Sequence, residues 1–378
     1  MKKARTTIGM AGVILAMLIS IPATLRAQND DAMARVSRSD IYRQRHYFTI
    51  VHNVYSIPDF GLFYNISTGF GGAASLMNLY STQPRTPYIS LSDLTISVGI
   101  TVREAYWLGI RGTNFMHDDL FRIDYAIYFQ HTVSDFWGVG YLDATTRDPV
   151  AMRQNSDFAA GEFAVRIADY TYLGALVRYN STTGRPDDMT YLDGLRQRYD
   201  CLGLGASLTY ESRDNLSYSE RGSFVRIVPR VYTPLSRGGA AFWGVEATAD
   251  HYFPVWKGGI AAIDLHATLN DGQVPWTLMP AVGSTSRMRG YYPGRFRDNN
   301  LVEAQAELRQ HIYGRLGVAA FAGAANVFPS LAGFNWSHTL PNYGGGVRIQ
   351  VDDNTRLRID AGFGRHSWGI VGALHEAF

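Results

Sequence analysis

The sequence predicts an all-β fold: a transmembrane, antiparallel, up-and-down β-barrel of about sixteen strands, with a long extracellular loop folded inward. Three observations carry this prediction. The 378 residues include 38 glycines and 13% aromatic residues, but only 18% charged residues. Apolar and polar residues alternate along many segments. After the first residues, no segment has the roughly 18 consecutive apolar residues that a spanning helix needs.

The alternation is clear between Phe121 and Gln130, where every odd position is aromatic or aliphatic and most even positions are polar. Side chains alternate across a strand, so such a segment has one apolar and one polar face. A soluble β-sandwich shows the same pattern, but its strands have about 5–6 residues. The longer segments here, with acids and bases on their polar faces, favour a barrel with a wet interior. Strands cross hydrocarbon only as a closed barrel, because every backbone polar group must be paired.

Sixteen candidate strands follow, an even number as single-chain bacterial barrels have. They are 44–56, 60–72, 88–99, 104–115, 120–130, 154–168, 169–181, 199–212, 221–233, 240–253, 258–270, 299–313, 314–326, 342–351, 355–364 and 369–378. If both termini face the periplasm, the long connections, among them 131–153 and 271–298, fall outside the cell. The connection 73–87 breaks this rule, because it should be a short periplasmic turn.

The N-terminus has the layout of a secretory signal peptide. Lys2, Lys3 and Arg5 precede an apolar run over 8–21, and Ala27 offers a small residue at the cleavage point. The alternative is a membrane anchor, but the run falls short of the about 20 residues that an anchor needs. The predicted organisation is a signal peptide over 1–27, a short periplasmic segment over 28–43 and an outer-membrane barrel over 44–378.

Charge and motifs favour no enzyme, cofactor or nucleic acid. A net charge of +2 gives no electrostatic reason to bind nucleic acid. The lone Cys201 excludes an internal disulfide and a thiolate metal site, and neither a phosphate-binding loop nor a metal-ligand spacing occurs. The cluster 117–119 is more typical of a solvated turn than of an acid/base pair. His366-Ser367 is similar to a motif of membrane phospholipases, but no third catalytic group is evident beside it.

The longest connection carries the most specific motif of the chain. Its segment Arg287–Asn300 contains, in order, Arg289, Gly290, Tyr291, Gly294, Arg295, Arg297 and Asp298, and the next strand contains Glu307 and Arg309. This segment resembles the sixth extracellular loop and following strand of the bacterial surface antigen (BamA/TamA) superfamily of outer-membrane assembly and secretion barrels. The clear resemblance covers residues 199–378. Supporting matches are 213–215 with 221–222, and an ending from Gly372 to the aromatic Phe378 that is similar to a C-terminal assembly signal.

The resemblance implies that the loop folds into the lumen and that Arg289 meets an acid on the barrel wall. Glu307 lies on the predicted inward face and is the expected partner. Gly290 and Gly294 allow tight turns. Gly323 stands where the family has a second acid, so half of the expected acceptor set is missing and a weak anchorage is expected. The lumen acids Asp264, Glu303 and Glu307 are also expected to form ion pairs with arginines on neighbouring strands. The arginines expected to pair with them are Arg226, Arg230, Arg309 and Arg358.

The resemblance also implies a function in protein or lipid insertion, assembly or translocation at the outer membrane, in contact with its lipids. Residues 28–43 leave no room for a polypeptide-transport-associated repeat, so periplasmic or outer-membrane partner proteins are expected to supply that part. A short last strand with Gly369, Gly372, His375 and Glu376 is consistent with a weak seam beside the first strand. Two alternatives remain open: a passive diffusion channel and a structural subunit of a larger outer-membrane complex.

Overall fold

The computed structural model describes residues 54–65, 67–82, 92–215, 218–236, 239, 241–350, 356–374 and 376–378. The predicted signal peptide, the segment 28–43 and most of the strand predicted at 44–56 lie outside these residues. Sixteen antiparallel strands are the main elements of the described chain, which confirms the predicted fold class. One short helix, α1 (Tyr141–Thr146), follows the fifth strand. No described helix is long and apolar enough to cross a membrane.

The strands follow one another in chain order. They are β1 (Val54–Asn65), β2 (Gly69–Tyr80), β3 (Ser92–Thr101), β4 (Tyr106–Met116), β5 (Phe121–Phe136), β6 (Val150–Ala168), β7 (Thr171–Pro186), β8 (Arg198–Glu211), β9 (Gly222–Pro234), β10 (Phe242–Trp256), β11 (Gly259–Gly272), β12 (Asn300–Tyr313), β13 (Leu316–Phe328), β14 (Leu340–Gln350), β15 (Arg356–Gly364) and β16 (Ser367–Leu374).

Each strand pairs antiparallel with the next, in one run from β1 to β9 and a second from β10 to β16. β9 and β10 lie side by side. Arg230 and Glu246 form an ion pair of 3.2 Å between them, and the rings of Tyr232 and Phe242 stack with their centroids 4.4 Å apart. β1 and β16 approach each other at only a few residues, and no ladder joins their described parts. The joint between the first and last strands is therefore the weakest of the wall.

The predicted positions of the first two strands along the chain were wrong. The structure places them at 54–65 and 69–80, where 44–56 and 60–72 were expected. Gly69 has a φ of +74° and ends the turn between β1 and β2. This turn falls inside the second strand as predicted, 60–72. Glycine and alanine at 71–74 have no side chains large enough to mark the alternation, which is why the pattern does not show this turn. The anomalous connection 73–87 thereby shrinks to 81–91.

The inward and outward faces show the inverted polarity of a membrane barrel. Large apolar residues such as Ile100, Phe129, Leu204, Val231 and Ile359 are exposed on the outward face. Charged and polar residues are buried on the inward face, which is the reverse of a soluble sandwich. They include Arg178, Asp264, His266, Glu307, Arg348 and Asp360.

The two ends of the barrel differ. The loop end bears the long connections 137–149, 187–197, 273–299 and 329–339, whereas the turn end bears short ones such as 169–170 and 257–258. β5, β6 and β7 have 16, 19 and 16 residues, more than the roughly 9–11 that cross a membrane. They therefore extend past the apolar band and form a wall around the connections at the loop end.

Candidate functional site

The connection 273–299, called the lumen loop below, lies inside the barrel rather than above it. Most of its residues are buried, and Met288 and Arg289 are fully so. Trp276, near its start, is packed against Phe136 with ring centroids 5.1 Å apart, and its Nε1 donates to the carbonyl of Arg196 at 2.9 Å. A connection of this length usually stays mobile unless side chains fasten it. The contacts that fasten this one form the candidate site.

Two glycines let the backbone of the lumen loop touch the wall. Gly290 has a φ of +103°, and a β-carbon there would lie 2.4 Å from the carbonyl carbon of Gly362 in β15. A β-carbon on Gly362 would lie 2.2 Å from the carbonyl oxygen of Arg289. Both distances are too short for any real β-carbon, so each position accepts only glycine without a shift of the backbone. The sequence pointed to Gly290, but nothing in it marked Gly362.

The guanidinium of Arg289 lies at the centre of the site. Its Nη2 is 2.6 Å from Oε2 of Glu307, and its Nη1 is 2.6 Å from Oδ2 of Asp360. All three side chains are fully buried. The guanidinium also lies 3.6 Å above the ring of Phe321, a cation–π contact that covers one of its faces. The structure thus places Arg289 against Glu307, the partner named from the sequence.

The expectation that half of the acceptor set is missing was wrong. Gly323 does stand without an acid, but Asp360 of β15 supplies the second carboxylate from another strand. Position 323 has no room for a side chain, because a β-carbon there would lie 2.8 Å from the carbonyl oxygen of Ala304 and from Oδ1 of Asn342. The alternation had put Asp360 on the inward face, so this signal was present in the sequence.

Further arginines surround the two carboxylates. Glu307 accepts from Arg309 Nε at 2.8 Å and from Arg348 Nη2 at 3.2 Å. Asp360 accepts from Arg348 Nη1 at 2.5 Å and from Arg358 Nη1 at 2.7 Å. Arg348 also donates through Nε to Glu376 at 2.7 Å. These seven residues, called the lumen ion network, are Arg289, Glu307, Arg309, Arg348, Arg358, Asp360 and Glu376.

A second anchor lies two residues before Arg289. Arg287 binds both carboxylate oxygens of Asp264 in β11, with Nε and Nη2 each 2.7 Å from an oxygen. Gln305 Nε2 donates to the same carboxylate at 2.9 Å. Arg358 of the wall also donates to the loop, at the carbonyl of Thr285, at 2.6 Å. Met288 between the two arginines has a φ of +49°, so this stretch is not extended and strand alternation gives no signal for Arg287.

The pairing expected for the other lumen acids is therefore only partly right. Asp264 binds the loop rather than a wall arginine, and neither carboxylate oxygen of Glu303 has a hydrogen-bond partner among the described residues. Of the arginines named with them, Arg309 and Arg358 meet Glu307 and Asp360. The other two pair elsewhere: Arg226 binds Glu162, and Arg230 binds Glu246.

The lumen loop is also tied to the last three strands by neutral hydrogen bonds. Tyr291 donates its hydroxyl to the carbonyl of Pro341 at 2.7 Å and accepts from the backbone N–H of Arg365 at 2.8 Å. Ser367 donates its hydroxyl to the carbonyl of Gly290 at 2.6 Å. The hydroxyl singled out beside His366 is thus used to hold the loop.

The remaining motif residues face the loop end. Arg295 Nε donates to the carbonyl of Ala144 in α1 at 3.0 Å. Arg297 Nε donates to the carbonyl of Gly294 at 3.1 Å, and its own carbonyl accepts from the N–H of Gly140 at 2.8 Å. These bonds fasten the loop to the connection 137–149.

Asp298 closes the motif just before β12. Its Oδ1 accepts from the N–H of Asn299 at 2.8 Å. Burial raises the pKa of Asp298 to about 6, because the charged carboxylate is poorly hydrated there and this one hydrogen bond lowers the pKa by less.

At the turn end, the connection 212–221 and the segment 376–378 close the same lumen. Arg309 donates through Nη1 to the carbonyl of Ser219 at 3.4 Å and through Nη2 to the carbonyl of Phe378 at 3.0 Å. The ring of Phe378 lies 6.5 Å from that of Tyr252. The last strand ends at Leu374 rather than at the predicted 378, and the residues after it turn inward. Gly372 stays on the outward face, and no atom lies within 4 Å of the position that a β-carbon would take there.

Comparison with known proteins agrees with this geometry. Residues 60–365 match the model of the Omp85 superfamily domain. The chain belongs to the Omp85 superfamily. The resemblance drawn from the motif is thereby confirmed, and the match extends well before residue 199, into the half that had shown only the strand pattern. This Omp85 chain is an outer-membrane β-barrel.

Solved structures show the same fold. BamA from Haemophilus ducreyi lacking POTRA domains 1–3 is 13% identical with a TM-score of 0.60, over 84% of this chain and 70% of that one. CdiB from Acinetobacter baumannii is 12% identical with a TM-score of 0.56, over 85% of this chain and 59% of that one. CdiB from Escherichia coli is 13% identical with a TM-score of 0.56, over 85% of this chain and 62% of that one. This Omp85 chain thus spans about six-tenths of each CdiB chain. No curated protein sequence matches it.

Proposed function

We propose that this Omp85 barrel acts in the insertion, assembly or translocation of proteins, or of lipids, at the outer membrane, together with partner proteins and without catalysing a reaction of its own. The observation that carries the proposal is the joint between β1 and β16, whose described parts share no ladder and approach each other at only a few residues. β9 and β10 also lack a ladder in the described residues, but they lie side by side along their length. A joint without backbone pairing is the place where a wall opens at the lowest cost.

The filled lumen supports the same proposal. The lumen loop blocks the interior from the loop end, and 212–221 with 376–378 close it at the turn end. A solute would have to displace several buried ion pairs to pass through the middle. A substrate that enters the wall at the joint meets no such barrier.

The lumen loop is fastened to β15 and to β16, the strand that borders this joint. Arg289 binds Asp360 of β15, its backbone abuts Gly362 of β15, and Gly290 accepts from Ser367 of β16. A change in the loop therefore acts directly on the last two strands. We infer that the loop holds the edge of β16 in place, and that its release accompanies opening.

Partner proteins are part of the proposal. The similar BamA structure is of a protein that lacks POTRA domains 1–3. The described residues within 60–365 are barrel strands and their connections, and we propose that a partner protein delivers substrate to them. A pull-down from native membranes should recover a stoichiometric protein with periplasmic domains. Recovery of the barrel alone, with large and steady pores in planar bilayers, would instead favour the diffusion channel.

A cross-link at the joint tests the central claim. In a Cys201→Ser background, Ile370→Cys in β16 is combined with single cysteines at successive positions of β1, and the pair that forms a disulfide is used. The control is Ala361→Cys with Ile370→Cys, which face each other across the already paired β15 and β16. We expect the β1–β16 disulfide to stop the insertion or export of client proteins until a reductant is added, while the control has no effect. Normal activity with the joint locked would refute the proposal.

A further inference from the structure

A cavity of about 430 Å³ opens at the turn end of the barrel. It lies between the turn at 257–258, the turn at 314–315 and the connection 212–221. Arg309, Arg348 and Glu376 of the lumen ion network line it, but Lys257 and Arg221, which line it too, make, among the described residues, none of the contacts that hold the lumen loop. The cavity therefore needs an explanation of its own.

The lining of this cavity carries an excess of positive charge. Six lysine and arginine residues line it but only two acids, Glu220 and Glu376. Two of the six, Arg309 and Arg348, also bind Glu307 of the lumen ion network. Both acids are engaged, Glu376 by Arg348 at 2.7 Å and Glu220 by Arg356 at 3.5 Å. The exposed side chains of Lys257 and Arg221 form no ion pair with any described residue. The six basic residues are Arg221, Lys257, Arg309, Arg315, Arg348 and Arg356.

One wall of the cavity is apolar and continues onto the surface that faces the membrane. Trp256, Leu316 and Val318 line the cavity and are 55%, 49% and 43% exposed on the outward face of the barrel. Trp256 donates through Nε1 to Oε1 of Gln310 at 2.5 Å, so its ring is held at the rim. Tryptophan at this level is typical of the interface between hydrocarbon and headgroups. The basic lining thus lies at headgroup depth.

We propose that this cavity binds an anionic phospholipid of the leaflet at the turn end. The phosphate lies against Lys257, Arg221 and Arg315, and an acyl chain follows Leu316 and Val318 along the outward face. Basic side chains near a membrane surface attract anionic lipid headgroups, and arginine matches the geometry of phosphate oxygens. An acidic peptide would satisfy the charges, but it would leave the apolar wall without an occupant. The continuity of that wall with the membrane surface therefore favours a lipid.

Native mass spectrometry of the full chain in detergent tests this proposal. Dioleoyl phosphatidylglycerol is titrated against dioleoyl phosphatidylethanolamine. The test variant is Lys257→Gln with Arg221→Gln. The control is Arg153→Gln with Arg185→Gln, which removes two exposed charges at the loop end. We expect a selective phosphatidylglycerol adduct in the wild type, a Kd at least roughly tenfold higher in the test variant, and an unchanged Kd in the control. Heat-modifiable migration on gels shows that each variant is folded.

Several outcomes would overturn the proposal. Equal retention of the two lipids, or an equal loss in the control, would mean that the cavity does not select an anionic headgroup. Displacement of the lipid by millimolar inorganic phosphate, or by a soluble acidic peptide, would assign the cavity to a free anion or to a protein partner. The result is independent of the cross-link experiment, because the joint is untouched in these variants.

Discussion

Arg289 of the lumen loop and Asp360 of β15 lie 2.6 Å apart, nitrogen to oxygen, and both side chains are fully buried. The same guanidinium reaches Glu307 of β12 at 2.6 Å. One loop residue therefore joins two strands that are separated in the wall by β13 and β14. Its removal takes one guanidinium from both carboxylates, which remain joined through Arg348.

Arg289→Ala should strongly loosen the lumen loop. A buried ion pair that loses one partner costs about 3–5 kcal/mol, whereas an exposed one changes by about 0–1 kcal/mol. Glu307 and Asp360 keep Arg309, Arg348 and Arg358 as partners, so the loss should lie near the lower end of the buried range. Protease should then cut near Tyr291 and Tyr292 on intact cells. Arg185→Ala, an exposed arginine at the loop end, serves as the control and should remain uncut.

Glu307→Ala should have an effect similar to that of Arg289→Ala, and the double variant should be little worse than either single variant. Residues that share one interaction give non-additive effects. The free energy of unfolding of all three proteins, from denaturant titration, measures this coupling. Additive losses would show that the two side chains act independently.

Gly362→Ala should destabilise the barrel, because its new β-carbon would lie 2.2 Å from the carbonyl oxygen of Arg289. An overpacked position typically costs about 1–3 kcal/mol. Gly372→Ala is the matched control, since no atom lies within 4 Å of that β-carbon position. Thermal unfolding followed by gel mobility separates the two variants. Equal melting temperatures would contradict the close contact between the lumen loop and β15.

The lumen loop should be held more firmly at pH 5 than at pH 7.5. The pKa of Asp298 is raised to about 6, so the folded loop binds a proton more tightly than the unfolded chain does. Stability therefore falls as the pH rises from about 4 through 6, by up to roughly 2 kcal/mol. Asp298→Asn should remove this part of the pH dependence. The measurement is the rate of proteolysis within the loop at both pH values, with the wild type and the variant compared side by side.

Wild-type protein should conduct poorly in planar bilayers, because buried side chains fill the lumen. Deletion of residues 284–298 removes Arg287 and Arg289 together and should raise the conductance. Deletion of the exposed residues 331–333, in the connection 329–339, is the control for shortening a connection. A large wild-type conductance that the first deletion leaves unchanged would mean that the loop does not block the path.

The sequence predicted the barrel, most of its strands and the pairing of Arg289 with Glu307, because alternation and a specific motif are local signals. It did not predict where β1 and β2 begin and end, because glycines at 69, 71 and 72 interrupt the alternation. It also did not predict Asp360 as the second acceptor or Gly362 as the contact of the loop backbone. Those two contacts depend on which strands face each other across the lumen, and the spacing along the chain does not contain that information.

Arg309 links the two mouths of the barrel through a single side chain. It donates to Glu307, which holds the tip of the lumen loop, and also to the carbonyls of Ser219 and Phe378 at the turn end. A guanidinium is a rigid fork with no acceptor, so it cannot follow one partner without changing its geometry to the others. Whatever draws residues 376–378 away from the lumen thus alters the affinity of the wall for the loop on the far side. The coupling is reciprocal, so release of the lumen loop must change the equilibrium constant for docking of residues 376–378 by the same factor.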